Sequence, residues 1–479
     1  MAEEVWMLQT KKADFKQIGA RFRIDPVTAR IIRNRGIEGE AAIDRYLNGT
    51  LDDLYDPMLL KDMERAVSIL CEAVDTGKKI RIVGDYDIDG VCSTYILLQA
   101  FERLGSDVDF EIPDRIKDGY GINESIIEQA HADGVEVILT CDNGISAFHQ
   151  VELAKKYGMT VVITDHHEVP LDGEKEKIPP ADAVIDPKQA DCPYPFPEIC
   201  GAVVAYKLVQ VLYARRGVPQ MEWLDLLEFA AIATVGDVMK LQDENRILVK
   251  YGLKKMAQTK NLGLRRLAEK NNLDLGAITA YHIGFVIGPC LNAGGRLKTA
   301  KEALALLRAQ SEEEAERLAE ELKELNDTRK DMTEQGTEAA KLQVESWYQK
   351  DKVLVVFLPE CHESLAGIIA GRLREYYQKP AIVLTRGEEA VKGSGRSIDE
   401  YHMFKKLTEV SDLLLKFGGH PLAAGLSLEE KNIDEFRRRL NENAGLTEED
   451  FKAKVWIDVP MPVGYVTERL VRELSCLEP

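Results

Sequence analysis

At 479 residues the chain exceeds what one hydrophobic core supports, and a prior of roughly 100 to 200 residues per domain divides it into two to four units. Its 62 basic and 81 acidic residues give a formal charge of −19, which excludes a surface uniformly attractive to nucleic acid or anionic membrane but leaves room for a local basic groove. Stretches such as "YILLQAF" and "LEFAAIAT" fall far short of the roughly 20 apolar residues of a membrane span, and "MAEEVWMLQTKKADF" lacks the basic and apolar regions of a secretion signal, so a cytoplasmic protein with no membrane association is expected.

From Lys78 to about Asp186 short apolar runs alternate with helical ones. "KKIRIVGD", "VDFEIP", "VEVILTCD", "TVVITDHH" and "ADAVID" read as strands, and "VCSTYILLQAFERLG", "NESIIEQAHADG" and "SAFHQVELAKKYG" as helices. Such alternation is what a parallel sheet with helices on both faces requires. Helical stretches follow in "GAVVAYKLVQVLYARRG" and "EWLDLLEFAAIATVGDVM", and residues 300–346 read as one long solvated linking helix. A second α/β pattern begins at "KVLVVFLP" and continues through the helix "LAGIIAGRLREYY", the strand "PAIVLT", the helix "FKKLTEVSDLLLKFGG", the strand "AAGLSL" and the helix "NIDEFRRRLNENA". The last piece starts strand-like at "KVWIDVP" and ends helical. The eight cysteines are scattered with no CxxC pair, and Cys192 and Cys200 flank a proline-rich loop that reads as structural, so neither a zinc ribbon nor a disulfide framework is indicated.

Position makes the polar residues informative. Asp85, Asp87 and Asp89 in "VGDYDIDG" follow the first strand, Asp142 in "CDNG" the third, and Asp165, His166 and His167 in "TDHH" the fourth. Ligands of parallel α/β sheets gather outside the carboxyl ends of the strands, so these groups should converge, with Asp237 of "TVGDVM" reaching the cleft from the end of a helix. Each alone reads as a turn residue or surface polarity, but independent turns have no reason to meet at one sheet edge. Three aspartates at alternate positions repel unless a cation lies between them, and oxygen and nitrogen donors without thiolate suit two Mn²⁺ or Mg²⁺ ions, with Asp142 the natural bridge. Such a pair activates water and neutralises charge in displacement at phosphorus. A polyanionic substrate then needs cationic groups, for which Arg115 in "IPDRIKDGYG", Arg296 in "GPCLNAGGR", and Ser394 and Arg396 in "GSGRS" are candidates.

Taken in order, "GDYDIDG", "CDNG", "TDHH", "TVGDVM", "GPCLNAGGR", "LNDTRKDM", "CHESLAGIIAGRL", "GSGRS" and "FGGHPLAAG" resemble the motifs of the DHH phosphoesterase superfamily, and within it the RecJ-type single-strand-specific 5′→3′ exonucleases. The resemblance runs from about residue 45 to 445. It implies an α/β fold: a parallel-sheet DHH domain, a long helix and a smaller α/β DHH-associated domain, with a groove between them. The boundaries expected are an N-terminal segment 1–60, the DHH domain 61–245, a helical region 246–346, the associated domain 347–445, and the start of a further region at 446–479 that reads as truncated. It implies one ion on Asp87 and Asp142 with Asp85, and another on Asp89, Asp142, His166 and Asp237. His167 would contact the scissile phosphate and Asp165 would orient an imidazole. Arg115, Ser394 and Arg396 match positions that cradle a 5′ phosphate, Arg296 would face the cleaved phosphate, and Asn292, Gly418, Gly419 and His420 would line the strand's path.

Three departures from the family pattern stand out. Val83 occupies a position where many relatives have histidine, which turns Asp85 from a spare carboxylate into an expected ligand; Cys290 replaces the arginine of "GPRLNA"; and the chain stops where relatives continue into an OB-type domain. The expected activity is degradation of single-stranded DNA to 5′-mononucleotides in recombination and repair. The expected partners are single-stranded DNA with a 5′ phosphate and a single-strand-binding protein or helicase, with the enzyme a monomer. The alternatives are a DHH phosphodiesterase of oligoribonucleotides or cyclic dinucleotides, and a non-catalytic replication scaffold of the same fold.

Overall fold

The computed structural model describes residues 4–479. They form two compact units, a larger one of Asp14–Asn326 with Val466–Pro479 and a smaller one of residues 4–13 with Asp327–Tyr465. Among the described residues no helix is long and apolar enough to cross a membrane.

The larger unit is built on β1 (Ile80–Val83), β2 (Val108–Glu111), β3 (Val137–Cys141), β4 (Thr160–Thr164) and β5 (Ala183–Ile185), all parallel, in the order β2-β1-β3-β4-β5. Side chains alternate across the sheet. Ile80, Ile82, Leu139, Cys141 and Val162 face a core shared with helices α1 (Met63–Thr76), α2 (Ile88–Arg103), α5 (Gly201–Arg215) and α6 (Leu227–Gly236). Val83, Ile138, Val161 and Ile163 face α3 (Glu124–Ala132) and α4 (Phe148–Lys156). Both faces are therefore dry, which explains why the strands read as unbroken apolar runs rather than as alternating ones. The strand order reverses direction between β1 and β3, so the crevice at their carboxyl ends is the switch point where such sheets bind ligands.

Further along, α7 (Gly288–Leu297) is followed by a short helix Lys301–Arg308, and only then by α8 (Glu312–Gln343). The expected continuous helix from residue 300 is thus two helices. The break falls where Ser311 Oγ accepts the Glu314 N–H at 3.2 Å, satisfying a donor that the first turn of α8 would otherwise leave open.

The smaller unit carries β6 (Leu354–Phe357), β7 (Ala381–Arg386), β8 (Val391–Arg396), β9 (Leu414–Gly419) and β10 (Ala423–Leu428), in the order β9-β10-β8-β7-β6, with β6 and β7 parallel and the rest antiparallel. Helix α9 (Glu363–Tyr377) packs on it. Here the sequence expectation of one helix through "FKKLTEVSDLLLKFGG" is corrected. The helix stops at Thr408 and Leu414–Gly419 is strand, because a short apolar run carries no decisive periodicity and pairing with β10 satisfies its backbone. A strand at Glu4–Leu8, which the sequence did not announce, pairs in parallel with Ala453–Ile457.

Candidate metal centre

The loop after β1 turns straight into α2, and its aspartates divide their work. Asp87 caps the helix, its Oδ1 accepting the N–H groups of Asp89 and Gly90 at 2.9 and 3.1 Å. Asp89, in the first turn, accepts the N–H groups of Gly201 and Ala202, both at 2.7 Å, so it also caps the amino end of α5. Asp85 accepts one bond, from Gly121 N at 3.3 Å, and its Oδ2 is buried with no hydrogen-bond partner among the described residues. Gly90 is required here: a Cβ on it would lie 2.4 Å from the Asp85 carbonyl oxygen.

Asp142, just past β3, is held at φ +61°, in the left-handed region that aspartate tolerates better than most residues. Next to it, Asn143 Nδ2 donates to the carbonyls of Val83 and Cys141 at 3.0 and 2.9 Å, tying the ends of β1 and β3 together. After β4, His166 turns Nε2 on three carboxylates, lying 3.1 Å from Asp142 Oδ1, 3.4 Å from Asp89 Oδ2 and 3.8 Å from Asp237 Oδ2. Asp237 reaches that position as the carboxyl cap of α6. His167 Nδ1 lies 2.7 Å from Asp165 Oδ1, and Asp165 Oδ2 accepts Ile145 N at 2.9 Å.

The electrostatics follow from crowding. Burial first, and then Asp87, push the Asp85 carboxyl up to about 8. Burial with Asp89 pushes Asp237 to about 8 as well, and the carboxyl of Asp142 is raised well above its ordinary range by burial and by Asp89, Asp87, Asp85 and Asp165. Burial holds His166 low, whereas in His167 the burial effect is outweighed by the bond to Asp165, which raises the imidazole to about 9. Carboxylates that bind protons this readily lack positive charge of their own.

The donor atoms fall into three groups, each within 4.8 Å: Asp85, Asp87 and Asp142; Asp89, His166 and Asp237; and Asp142, His166 and His167. Asp142 and His166 are shared between groups, as a two-cation site requires, and oxygen and nitrogen donors suit Mn²⁺ and Mg²⁺. The unpartnered Asp85 Oδ2 fits the same reading, since a buried carboxylate oxygen needs a positive partner. Val83, where histidine was expected from the family pattern, is fully buried in β1, and Asp85 is the carboxylate that joins Asp87 and Asp142.

Arg115 stacks 4.7 Å over the ring of Tyr86 between the aspartates, and Arg296 is close enough to bear on the Tyr86 hydroxyl. Both therefore border the cluster. Arg296 and Asn292 belong to α7, whose Gly295 approaches so closely that a Cβ there would lie 2.3 Å from the Tyr86 carbonyl oxygen. Cys290 is buried in the same helix, with Asn326 Nδ2 donating to its sulfur at 3.3 Å. In the smaller unit, Ser394 and Arg396 stand side by side on β8 over Gly367 of α9, where a Cβ would lie 3.4 Å from Ser394 Oγ and 3.0 Å from Arg396 Nη2. Gly418 and Gly419 end β9, Gly419 at φ +150°, and His420 N donates to the Ala423 carbonyl at 2.8 Å.

Two contributors escaped the sequence reading. Tyr120 Oη donates to the Asp142 carbonyl at 2.8 Å and lies 3.1 Å from His167 Nδ1. Its signal was the flanking pair Gly119 and Gly121, at φ +79° and +70°, which bend a tight loop around the ring. Asp186 follows β5 fully buried, and burial with the nearby Asp165 raises its carboxyl to about 7. Its place after a strand was the only hint.

Fold and site together define a doubly wound α/β domain that gathers carboxylates and imidazoles at its switch point, joined in sequence to a smaller mixed-sheet domain. The first matches the DHH family, N-terminal domain, over residues 79–234, and the second the DHHA1 domain over 350–445. The chain is 37% identical over 479 residues to the single-stranded-DNA-specific exonuclease RecJ of Bacillus subtilis, a match covering 99% of this chain and 60% of that protein. It is 35% identical over 462 residues to the protein of the same name from Haemophilus influenzae, covering 92% and 79%. The crystal structure of RecJ from Thermus thermophilus in complex with Mn²⁺ superposes with a TM-score of 0.84 at 30% identity, covering 99% of this chain and 67% of that one. A second structure of that protein holds Mg²⁺. The chain belongs to the RecJ family. It spans about 60% of the length of the Bacillus relative.

Proposed function

We propose that this chain is the catalytic core of a single-stranded-DNA-specific exonuclease that removes 5′-mononucleotides in the 5′→3′ direction, acting in recombination and repair. The observation that carries the reading is the sharing of Asp142 and His166 among three donor groups at the β1/β3 crevice. Asp85, Asp87 and Asp142 would hold one divalent cation, and Asp89, Asp142, His166 and Asp237 the other. Two such ions supply an activated water and charge neutralisation at the phosphorus under attack.

The chain's own groups do the rest. Asp165 orients His167 through Nδ1, and the half-exposed imidazole turns its other nitrogen toward a phosphate oxygen. Tyr120 holds the Asp142 backbone and limits the swing of His167. Arg296 and Arg115 add positive charge beside an acidic cluster that would otherwise repel a polyanion. Ser394 and Arg396, with the side-chain-free Gly367 beneath them, are assigned to the terminal phosphate. His420 and its glycines, with Asn292, are assigned to the path of the strand. A monomer in the cytoplasm, working beside a single-strand-binding protein or a helicase, suits this reading.

A single-stranded 40-mer labelled at either end tests it. Release of labelled mononucleotide from the 5′ end, dependent on Mn²⁺ or Mg²⁺, is expected. Cleavage of dinucleotides with the 40-mer left intact would overturn it in favour of a short-substrate phosphodiesterase.

A further inference from the structure

A second cleft opens in the larger unit at the other ends of two helices that carry metal-centre residues. Asp89 lies in the first turn of α2 and Asp237 caps the end of α6, whereas the cleft is lined by Tyr95, Gln99 and Arg103 of α2 and by Glu228 and Phe229 of α6. At 1.5 Å per residue, Glu228 is about 14 Å from Asp237 along the helix. The cleft has a volume of about 460 Å³, the size that encloses a small aromatic molecule.

Its floor is unsatisfied in a specific way. Glu228 is 3% exposed; its Oε1 accepts from Thr259 Oγ1 at 2.7 Å, and its Oε2 is buried with no hydrogen-bond partner among the described residues. Thr259 Oγ1 in turn accepts Asn261 N at 3.1 Å, and Asn261 Nδ2 donates to Tyr95 Oη at 3.1 Å. Tyr95 Oη thus acts as an acceptor and keeps its own proton to donate. Once ionised, the floor carboxyl is an acceptor beside a hydroxyl that can donate. The Tyr95 and Phe229 rings, with centroids 4.3 Å apart, make an apolar wall. At the rim four cations each face a carboxylate: Arg103 pairs with Glu222, Lys255 and Lys260 with Asp225, and Arg308 with Glu102.

We propose that this cleft binds a guanine base, as the uncharged nucleoside, with the Glu228 carboxylate accepting from the ring N–H and the amino group and Tyr95 donating to the carbonyl. Of the common bases, guanine alone presents two adjacent donors followed by a carbonyl acceptor on one edge; adenine and cytosine each have a single donor there, and a carboxylate rejects their ring nitrogen acceptors. Burial raises the Glu228 carboxyl to about 7, so the acceptor form is available above neutral pH. The proposal does not rest on the reading of the metal centre.

Calorimetric titration of the full chain at pH 8 with guanosine, adenosine and cytidine tests it. Guanosine should bind at least about tenfold more tightly than the other two, a difference of about 1.4 kcal/mol. Glu228→Gln and Tyr95→Phe should each weaken guanosine at least about tenfold, with Tyr95→Phe deciding if Glu228→Gln fails to fold. Asp142→Asn, in the metal centre, should leave guanosine binding unchanged. No binding at millimolar guanosine, equal affinity for the three nucleosides, wild-type affinity in the tested variants, or loss in Asp142→Asn would each overturn it.

Discussion

Gly201 and Asp142 touch with no space for a side chain between them: a Cβ on Gly201 would lie 2.7 Å from the Asp142 Cβ and 2.9 Å from its Cα. The first residue of α5 is thus pressed against the carboxylate shared between donor groups, while its N–H holds Asp89. Gly201→Ala must push the helix from the cluster, which costs about 1–3 kcal/mol by overpacking and displaces Asp89 from Asp142. The expected outcome is a lower melting temperature together with a fall in Mn²⁺ affinity of at least about tenfold, or 1.4 kcal/mol, read by calorimetric titration. Unchanged Mn²⁺ affinity would show that the contact does not set the spacing.

Asp142 carries opposite consequences with and without metal. Without cations its charge is disfavoured by burial first and then by Asp89, Asp87, Asp85 and Asp165, so Asp142→Asn should stabilise the metal-free protein by about 1–3 kcal/mol in a denaturant melt. With Mn²⁺ the same variant should bind fewer ions and lose at least about 10³-fold in kcat, several kcal/mol of charge stabilisation. A variant that is less stable without metal and equally active with it would exclude the shared-ligand role.

Tyr120→Phe removes a hydroxyl while leaving the ring, which packs edge-on against Tyr86 and His167. One hydrogen bond to the Asp142 backbone and one contact to His167 are lost, worth about 1–2 kcal/mol, so kcat should drop about tenfold with KM nearly constant. Steady-state kinetics on a 5′-phosphorylated oligonucleotide separate the two, since a rise in KM alone would assign Tyr120 to substrate binding.

Glu228 gives a pH signature away from the metal centre. Burial raises its folded value to about 7 from an ordinary 4.5. The folded state therefore holds the proton more tightly than the unfolded chain, and this contribution to stability is fully present below about 4.5 and lost as pH rises to about 7. Glu228→Gln keeps an acceptor for Thr259 without the charge. It should be more stable than the parent at pH 8 by about 1–3 kcal/mol and indistinguishable near pH 4, which paired denaturant melts measure. A constant difference across that range would place the effect in packing rather than ionisation.

By itself the sequence determined what local patterns can encode. Five apolar runs separated by helical stretches require a parallel sheet buried on both faces, and aspartates and histidines placed after three of those runs require a polar cluster at one sheet edge. Asp85, Asp87, Asp89, Asp142 and His166 were legible for that reason, because strand ends are set by the chain's own periodicity, whereas Asp237 was placed from the end of a helix. Only the tertiary structure decided which groups meet across it. Tyr120 reaches Asp142 from a loop that periodicity does not read, Gly201 is needed because another element's backbone lies 2.9 Å from where its Cβ would be, and Leu414–Gly419 became strand because β10 lay ready to pair. Distances between segments far apart in sequence depend on packing, and packing is a property of the folded whole.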